Sequence, residues 1–522
     1  MRKGTTGRML RRAAVMGACL LGAVTGPVTR AEAASVQPRA GGTLTVGVEV
    51  EFRGFDPIKA NFFNIADRSA AMALEERLFD MDSKGNLVPE LALSAKPAKD
   101  GKSWTIKLRP GVRFHDGTPF NADAVVAHWQ RLLDPKNKFF ARVAFEPVET
   151  VQKVDDLTLR FQLKHPWAPF RSVLSAPQSV AAYIPSPKAV KADTQNRAPV
   201  GTGPYMLKEW IANDRLVVVR NPHYWRKGKA HLDRVVFRIL PDMQARFASL
   251  QSGESDVIQT DRGASIVQAG SDRSLKVYAS DAAGTYNFLL NASRPPLNDV
   301  RVRQALAHAW NQELLLKADY KGTLPFAKDP FGGQISCGDT AYRKYDPEKA
   351  RKLLAEYGKP VELEMIHTNT PRGKEAGEIM QRLFKEVGVT LKLVPLAEGQ
   401  LAKRGIGSDY QVAGWKMMDY DEMGPTLLGN LLSGSKQNFV KYQSPKMDEL
   451  LMTQQMSLDK KIREKALCGV AKLINEDAIY LYGGGRRFHV IAKVGVKGID
   501  NVRHGVIRVS DIWLDRGNVA AK

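Results

Sequence analysis

The string Gly414-Trp415-Lys416-Met417-Met418-Asp419-Tyr420-Asp421-Glu422 holds the side chains of this chain best suited to binding chemistry. Three carboxylates follow an aromatic residue just after a short apolar run, Tyr410 to Ala413. A loop leaving the end of such a strand is where α/β lobes hold ligands. A carboxylate in that place can pair with an ammonium group through a charge-assisted hydrogen bond, and Trp415 can shield the pair from water. The plainer alternative is that Asp419, Asp421 and Glu422 form a solvated acidic loop.

Patterns for bond-making chemistry are missing. The sequence has no His-Glu-x-x-His, no Gly-x-Ser-x-Gly and no phosphate-binding glycine loop. Arg503-His504-Gly505-Val506-Ile507-Arg508 resembles the Arg-His-Gly block of histidine acid phosphatases, but Ile507 stands where the next arginine should be. The His115-Asp116 pair lies upstream instead of downstream, and His115 reads as a turn residue before Asp116-Gly117. The nine histidines are scattered, and no pair falls at i,i+4 on an expected helix. No catalytic residue, metal site or cofactor is therefore expected.

Composition narrows the class. The chain has 522 residues, of which 43% are hydrophobic and 25% charged, enough for two or more cores. Residues 1–33 read as a cleaved leader. Arg2, Lys3, Arg8, Arg11 and Arg12 precede an apolar stretch from Ala13 to Val24, and Ala31-Glu32-Ala33 offers a small-x-small cleavage site, so export with cutting after about Ala33 is expected. Arg11-Arg12 leaves general secretion and the twin-arginine route as alternatives, with Leu10 and Ala14 fitting the latter poorly. The formal net charge of +22 falls to +17 without that leader. Lys and Arg are spread along the chain without nucleic-acid motifs, which implies a solvated basic surface and no nucleic-acid partner. Beyond the leader two cysteines remain, Cys337 and Cys468. In an oxidising compartment they form one disulfide or stay as two buried thiols.

Periodicity supplies the elements that must hold these residues. Trp104, Ile106 and Leu108 alternate, as do Leu157, Leu159, Phe161 and Leu163, which predicts strands. Between them Ala122 to Leu133 reads as a helix opening after Asn121. Tyr205 to Ile211 and Leu216 to Arg220 form a hairpin reversing at Asn213-Asp214. Arg301 to Lys317 reads as one periodic helix, and Asp346-Pro347 caps another that stops at Gly358. Val361 to Ile366, Lys374 to Val387 and Val389 to Val394 make a βαβ unit, hence parallel strands.

Pro199-Val200-Gly201-Thr202-Gly203-Pro204-Tyr205 followed by Arg220-Asn221-Pro222-His223-Tyr224-Trp225 carries a resemblance. Gly41-Gly42-Thr43-Leu44-Thr45-Val46, Asp100-Gly101-Lys102-Ser103-Trp104, Leu250-Gln251-Ser252-Gly253-Glu254 and Asp299-Val300-Arg301-Val302-Arg303-Gln304-Ala305 extend it over nearly the whole chain. Together they resemble the extracellular solute-binding proteins of family 5, which feed peptide and nickel ABC transporters.

The resemblance implies an α/β fold, a bilobal periplasmic-binding-protein (type II) clamshell with an extra α+β domain attached to the first lobe. The first lobe would hold 40–79, 199–283 and 484–522, the extra domain 80–198, and the second lobe 284–483. The chain would cross between lobes near Gly284 and Gly483, with Gly484 adding freedom to the hinge. In peptide-binding relatives a Gly-Trp-x-x-Asp block takes the peptide's α-ammonium. Here Met418 stands at the acid's place and Asp419 follows. Gly414, Trp415, Asp419 and Tyr420 would form one wall of the cleft; Phe52, Phe55 and Asn61 would form the other, unless those Phe rings are simply core. The implied function is that of a periplasmic solute-binding component of an ABC importer, a monomer with no enzymatic activity. It would clasp a short peptide or peptide-like solute and dock on the permease, meeting the membrane only through that complex. An opine, a glycoconjugate, haem or a nickel chelate is the alternative solute, and a periplasmic hydrolase the alternative class.

Overall fold

The computed structural model describes residues 37–515 apart from 61–63, 83–85, 138, 140–141, 177–178, 417–422 and 500–501. The leader, Asn61, Asp419 and Tyr420 lie outside the described residues, as does the side chain of Trp415.

A ten-stranded sheet organises the molecule. At its centre two long strands, Leu275–Leu290 and Tyr480–Lys493, run antiparallel along each other. On one side lie Val257–Thr260, Thr43–Val48, Arg234–Ile239, Arg215–Arg220 and Tyr205–Ile211, in that order. On the other lie Val412–Lys416, Val361–Thr368 and Val389–Leu396. The long strands thus belong to both halves, and each half builds its own core. One core centres on Leu44, Val46, Leu216 and Phe237, and the other on Val302, Leu306, Met380 and Phe384.

The βαβ reading holds: Val361–Thr368 and Val389–Leu396 pair in parallel, joined by helix Pro371–Lys385. That helix begins earlier than its hydrophobic pattern, because Thr370 caps it by accepting from the Gly373 amide at 3.3 Å. Asn121 caps Ala122–Leu133 in the same way, and Asp346 caps Pro347–Tyr357. The single helix expected over Arg301 to Lys317 is instead two, Val300–Ala309 and Gln312–Ala318. Trp310 turns extended so that its indole N–H can donate to the Tyr482 carbonyl at 2.8 Å. Asn311 then restarts the helix by capping Leu314. A tertiary hydrogen bond overrides the local periodicity here.

Four antiparallel strands, Ala92–Pro97, Ser103–Leu108, Thr158–Leu163 and Val148–Asp155, form a separate sheet under helix Ala122–Leu133. Trp129 of that helix meets Phe161 edge-on at 5.0 Å. The layer also touches the far half of the molecule. Trp167 donates its indole N–H to Gln455 Oε1 at 3.2 Å, and the Ala168 amide donates to the Gln455 carbonyl at 3.0 Å.

The glycine-rich string at 199–205 has a packing explanation. A Cβ on Gly201 would lie 2.3 Å from the Leu74 carbonyl oxygen, and one on Gly203 would lie 2.5 Å from the Leu74 carbonyl carbon. Only glycine lets this backbone press against the end of helix Ile65–Leu74. His115 completes the joint. Its Nδ1 accepts from the Gly201 amide at 3.3 Å, and its Nε2 donates to the Gly203 carbonyl at 3.0 Å. Asn221 donates to the same carbonyl at 3.1 Å, while Tyr224 and Trp225 both donate to Glu76, at 2.7 and 2.5 Å. The two motif halves are therefore one polar joint around the end of a helix. Burial pushes the Glu76 carboxyl up to about 7 and the His115 imidazole down.

His128, on the buried face of Ala122–Leu133, is held neutral by burial, its pKa pushed down to about 3. Unfolded, it titrates near 6.5. The unfolded chain therefore binds the extra proton first, and stability falls as pH drops through 6.5. At about 1.4 kcal/mol per pH unit, His128→Gln should lose about 2 kcal/mol less stability than wild type between pH 6.5 and pH 5. Urea titrations at the two pH values measure this. Parallel losses would show that His128 does not carry the acid sensitivity.

Candidate ligand-binding cleft

Strand Val412–Lys416 pairs with the long strand Leu275–Leu290, with Gly414 opposite Phe288, Trp415 opposite Asn287 and Lys416 opposite Tyr286. The chain therefore enters the acidic segment from a register position next to the sheet's centre. Gly284 lies two residues from Tyr286 on the one long strand, and Gly483-Gly484-Gly485 run alongside on the other. A Cβ on Gly414 would meet its neighbours no closer than 3.5 Å, so close packing does not demand glycine there.

Arginines and tyrosines surround this point. Tyr286 and Tyr320 stack with ring centroids 6.3 Å apart. The Arg372 guanidinium lies over both, 5.2 Å from the first and 5.6 Å from the second. Arg486, directly after the three glycines, is 1% exposed and lies over Tyr286 at 5.4 Å and Phe488 at 5.0 Å. Its burial pulls its pKa down to about 10. Arg68, on helix Ile65–Leu74, adds a further buried positive charge close enough to act on Arg486.

Charge pairs connect the two halves of the sheet here. Asp261 and Arg262 follow strand Val257–Thr260. Asp261 pairs with Arg372, at the start of helix Pro371–Lys385. Arg262 forks onto Glu375, one turn further on, at 2.9 and 3.3 Å. It also approaches Asp319, just past helix Gln312–Ala318, at 3.6 Å. Burial pushes the Asp319 carboxyl up to about 6, whereas the Arg262 hydrogen bonds hold the Glu375 carboxyl down.

On the opposite wall the core alternative holds for the two Phe rings. Phe52 and Phe55 are 1% and 0% exposed. Phe52 meets Trp210 edge-on at 6.1 Å, Phe55 meets it at 5.5 Å, and Phe52 also contacts Phe237 at 6.2 Å. They are core residues beneath the loop, and neither ring presents a face to a ligand in this conformation. Alternation after the opening strand could not distinguish an aromatic turned inward from one turned to the cleft. The Arg503-His504-Gly505 block is also structural. His504 is buried with φ of 54°, and Gly505 packs against Ile65 and Phe488.

No group of three or more His, Cys, Asp or Glu suited to a metal ion occurs among the described residues. Residues 86–439 match the family model of the bacterial extracellular solute-binding proteins, family 5 Middle. The chain belongs to this solute-binding family. It is a periplasmic solute-binding protein. Among relatives, it is 30% identical over 479 residues to the probable di/tripeptide-binding protein 5 of Pseudomonas aeruginosa, covering 85% of this chain and 90% of that one. It is 31% identical over 435 residues to heme-binding protein A of Haemophilus influenzae, covering 76% and 79%. The solved structure of the periplasmic binding protein DppA from Helicobacter pylori, in complex with the peptide STSA, superposes with a TM-score of 0.82 at 24% identity, over 92% of this chain and 99% of that one. The architecture is the bilobal α/β clamshell of that class.

In a family 5 clamshell, ion pairs joining the halves favour the closed form. The sequence signals missed them, since Arg262 and Glu375 stand 113 residues apart and Asp261 and Arg372 stand 111 apart. Arg262→Gln removes two of the three pairs. A partly exposed pair contributes up to about 1 kcal/mol, or about five-fold in the open-to-closed ratio. Ligand-free Arg262→Gln should show a larger radius of gyration in solution scattering than Arg238→Gln, which loses only an exposed surface pair with Glu254. Identical scattering curves would mean these pairs do not hold the lobes together.

Proposed function

We propose that this protein is the solute-binding component of an ABC importer and captures a short peptide or peptide-like solute between its lobes, delivering it to the permease. The observation that carries the peptide reading is the placement of strand Val412–Lys416. Its last described residue, Lys416, pairs with Tyr286, beside the hinge glycines and the Arg372 and Arg486 guanidinium groups, and the acidic segment follows it in sequence. The guanidinium groups gathered there can meet a ligand carboxylate once the lobes part, and a carboxylate three residues past Lys416 suits its ammonium group. A zwitterionic peptide presents both. Relatives named for di- and tripeptides and for glutathione support the same class.

Within this reading Asp419 takes the α-ammonium, and Gly414, Trp415 and Tyr420 shape its surroundings. Asn61 belongs to the facing loop, with Phe52 and Phe55 supporting that loop from behind. Gly284, Gly483 and Gly484 mark the hinge. The first lobe comprises 40–79, 199–283 and 484–522, the extra domain 80–198, and the second lobe 284–483. The leader is cut after about Ala33.

Titration calorimetry with a di- and tripeptide panel tests the assignment. Removing one member of a buried charged pair costs about 2–5 kcal/mol. Asp419→Asn should therefore weaken binding by about thirty-fold or more, with Asp421→Asn changing it far less. Acetylating the peptide's N-terminus should produce a similar loss in wild type. Equal affinities for wild type and Asp419→Asn would remove the ammonium contact. Binding of haem in place of every peptide tested would replace the peptide class.

A further inference from the structure

The two long strands do not pair evenly where they pass between the halves of the sheet. Their register shifts between Ala282 and Thr285, and again between Tyr286 and Asn287. Gly284 and Gly484 sit there with φ of 106° and 138°, values that favour glycine. A ladder that slips leaves backbone amides needing other acceptors. A third segment supplies them. The Gly485 amide donates to the Pro325 carbonyl at 2.7 Å, and the Gly284 amide donates to the Phe331 carbonyl at 3.3 Å.

This segment lies flush on the crossing strands. A Cβ on Gly485 would come within 2.9 Å of Pro325 Cγ, and one on Gly332 within 2.5 Å of the Gly284 carbonyl oxygen. It is also tied firmly to one half of the molecule. The buried Gln312 amide makes both backbone bonds to Ala327, donating to its carbonyl at 2.8 Å and accepting from its N–H at 2.7 Å. Asn475 donates to the carbonyls of Lys328 and Thr340, each at 2.9 Å. Cys337 is joined to Cys468, with Cα atoms 5.3 Å apart. Asn475 and Cys468 lie on one helix, Lys460–Glu476. The segment therefore spans from the hinge amides to a covalent anchor on that helix.

We propose that residues 324–337 form a strap that fixes the geometry of the hinge, and that the Cys337–Cys468 bridge sets how firmly it holds. Opening the clamshell rotates the strands at Gly284 and Gly485, so it must stretch or break the two hydrogen bonds to the strap. With the bridge intact, the strap cannot follow the strands. Reduction by a dithiol loosens it, leaving the Gln312 and Asn475 hydrogen bonds as its remaining ties. A thiolate attacks the sulfur of the half-buried Cys468, Cys337 leaves as thiolate and takes a proton, and the second thiol of the reductant releases Cys468. The protein gains two thiols and the reductant becomes a disulfide. Hinge stiffness, and with it the ease of solute capture and release, thereby becomes responsive to the thiol–disulfide state. Hinge stiffness set in this way does not depend on which solute is bound.

Hydrogen exchange read by mass spectrometry tests the strap on the full mature protein without ligand. Oxidised wild type is compared with the same protein reduced by dithiothreitol. Exchange at Gly284 and Gly485 should rise at least ten-fold on reduction, while exchange in Thr43–Val48 and Val361–Thr368 stays unchanged. Gln312→Ala, which cuts a different tether and keeps the bridge, should loosen the same two amides in the oxidised state. Cys337→Ser/Cys468→Ser should match the reduced protein. Two results would overturn the proposal. One is hinge amides that do not respond to verified reduction; the other is an equal acceleration across both halves, which would make the bridge a general stabiliser of the lobe.

Discussion

The central constraint is the backbone pairing of two strands, Leu275–Leu290 and Tyr480–Lys493. Every other strand of the ten-stranded sheet hangs from one side of this pair or the other. The pair is continuous enough to hold two halves in one sheet, yet it is not regular along its length. Its register slips over a few residues where glycine occupies positive φ. Backbone polarity does not vanish at that slip, so a neighbouring segment has to satisfy it. Pro325 and Phe331 do so, accepting from the Gly485 and Gly284 amides.

The charged residues near the hinge follow from the same geometry. Packing between two halves removes water from part of what lines it, and isolated buried charges are costly. The chain answers with pairs whose members come from opposite halves, as between Arg262 and Glu375, and with guanidinium groups laid over aromatic faces, as with Arg486 over Tyr286. Opening returns these groups to water. The closed form gains little from each pair, which suits a protein that must open again to load.

Local physics was legible in the sequence. The caps at Asn121 and Asp346, the stop at Gly358 and the turn at Asn213-Asp214 depend on neighbours a few residues away. The βαβ unit was legible because its hydrophobic period changes twice within about thirty residues. What depended on distant partners was not. Trp310 breaks a well-patterned helix for the sake of a carbonyl 172 residues later. Phe52 and Phe55 stayed open between cleft and core because their burial is decided by Trp210 and Phe237, which arrive from the hairpin and a neighbouring strand. The paired cysteines showed that a bridge was open to the chain, but only the folded proximity of a loop and a helix joins them.

The glycines at 201 and 203 exist to let one stretch of backbone lie against the last turn of a helix, and His115 and Asn221 are there to complete that joint. None of these groups is drawn into the charged cluster around Tyr286. The part of the chain that most clearly declares its ancestry is thus a piece of masonry, indifferent to cargo. A substitution in the charged cluster therefore leaves the hydrogen bonds of this joint in place.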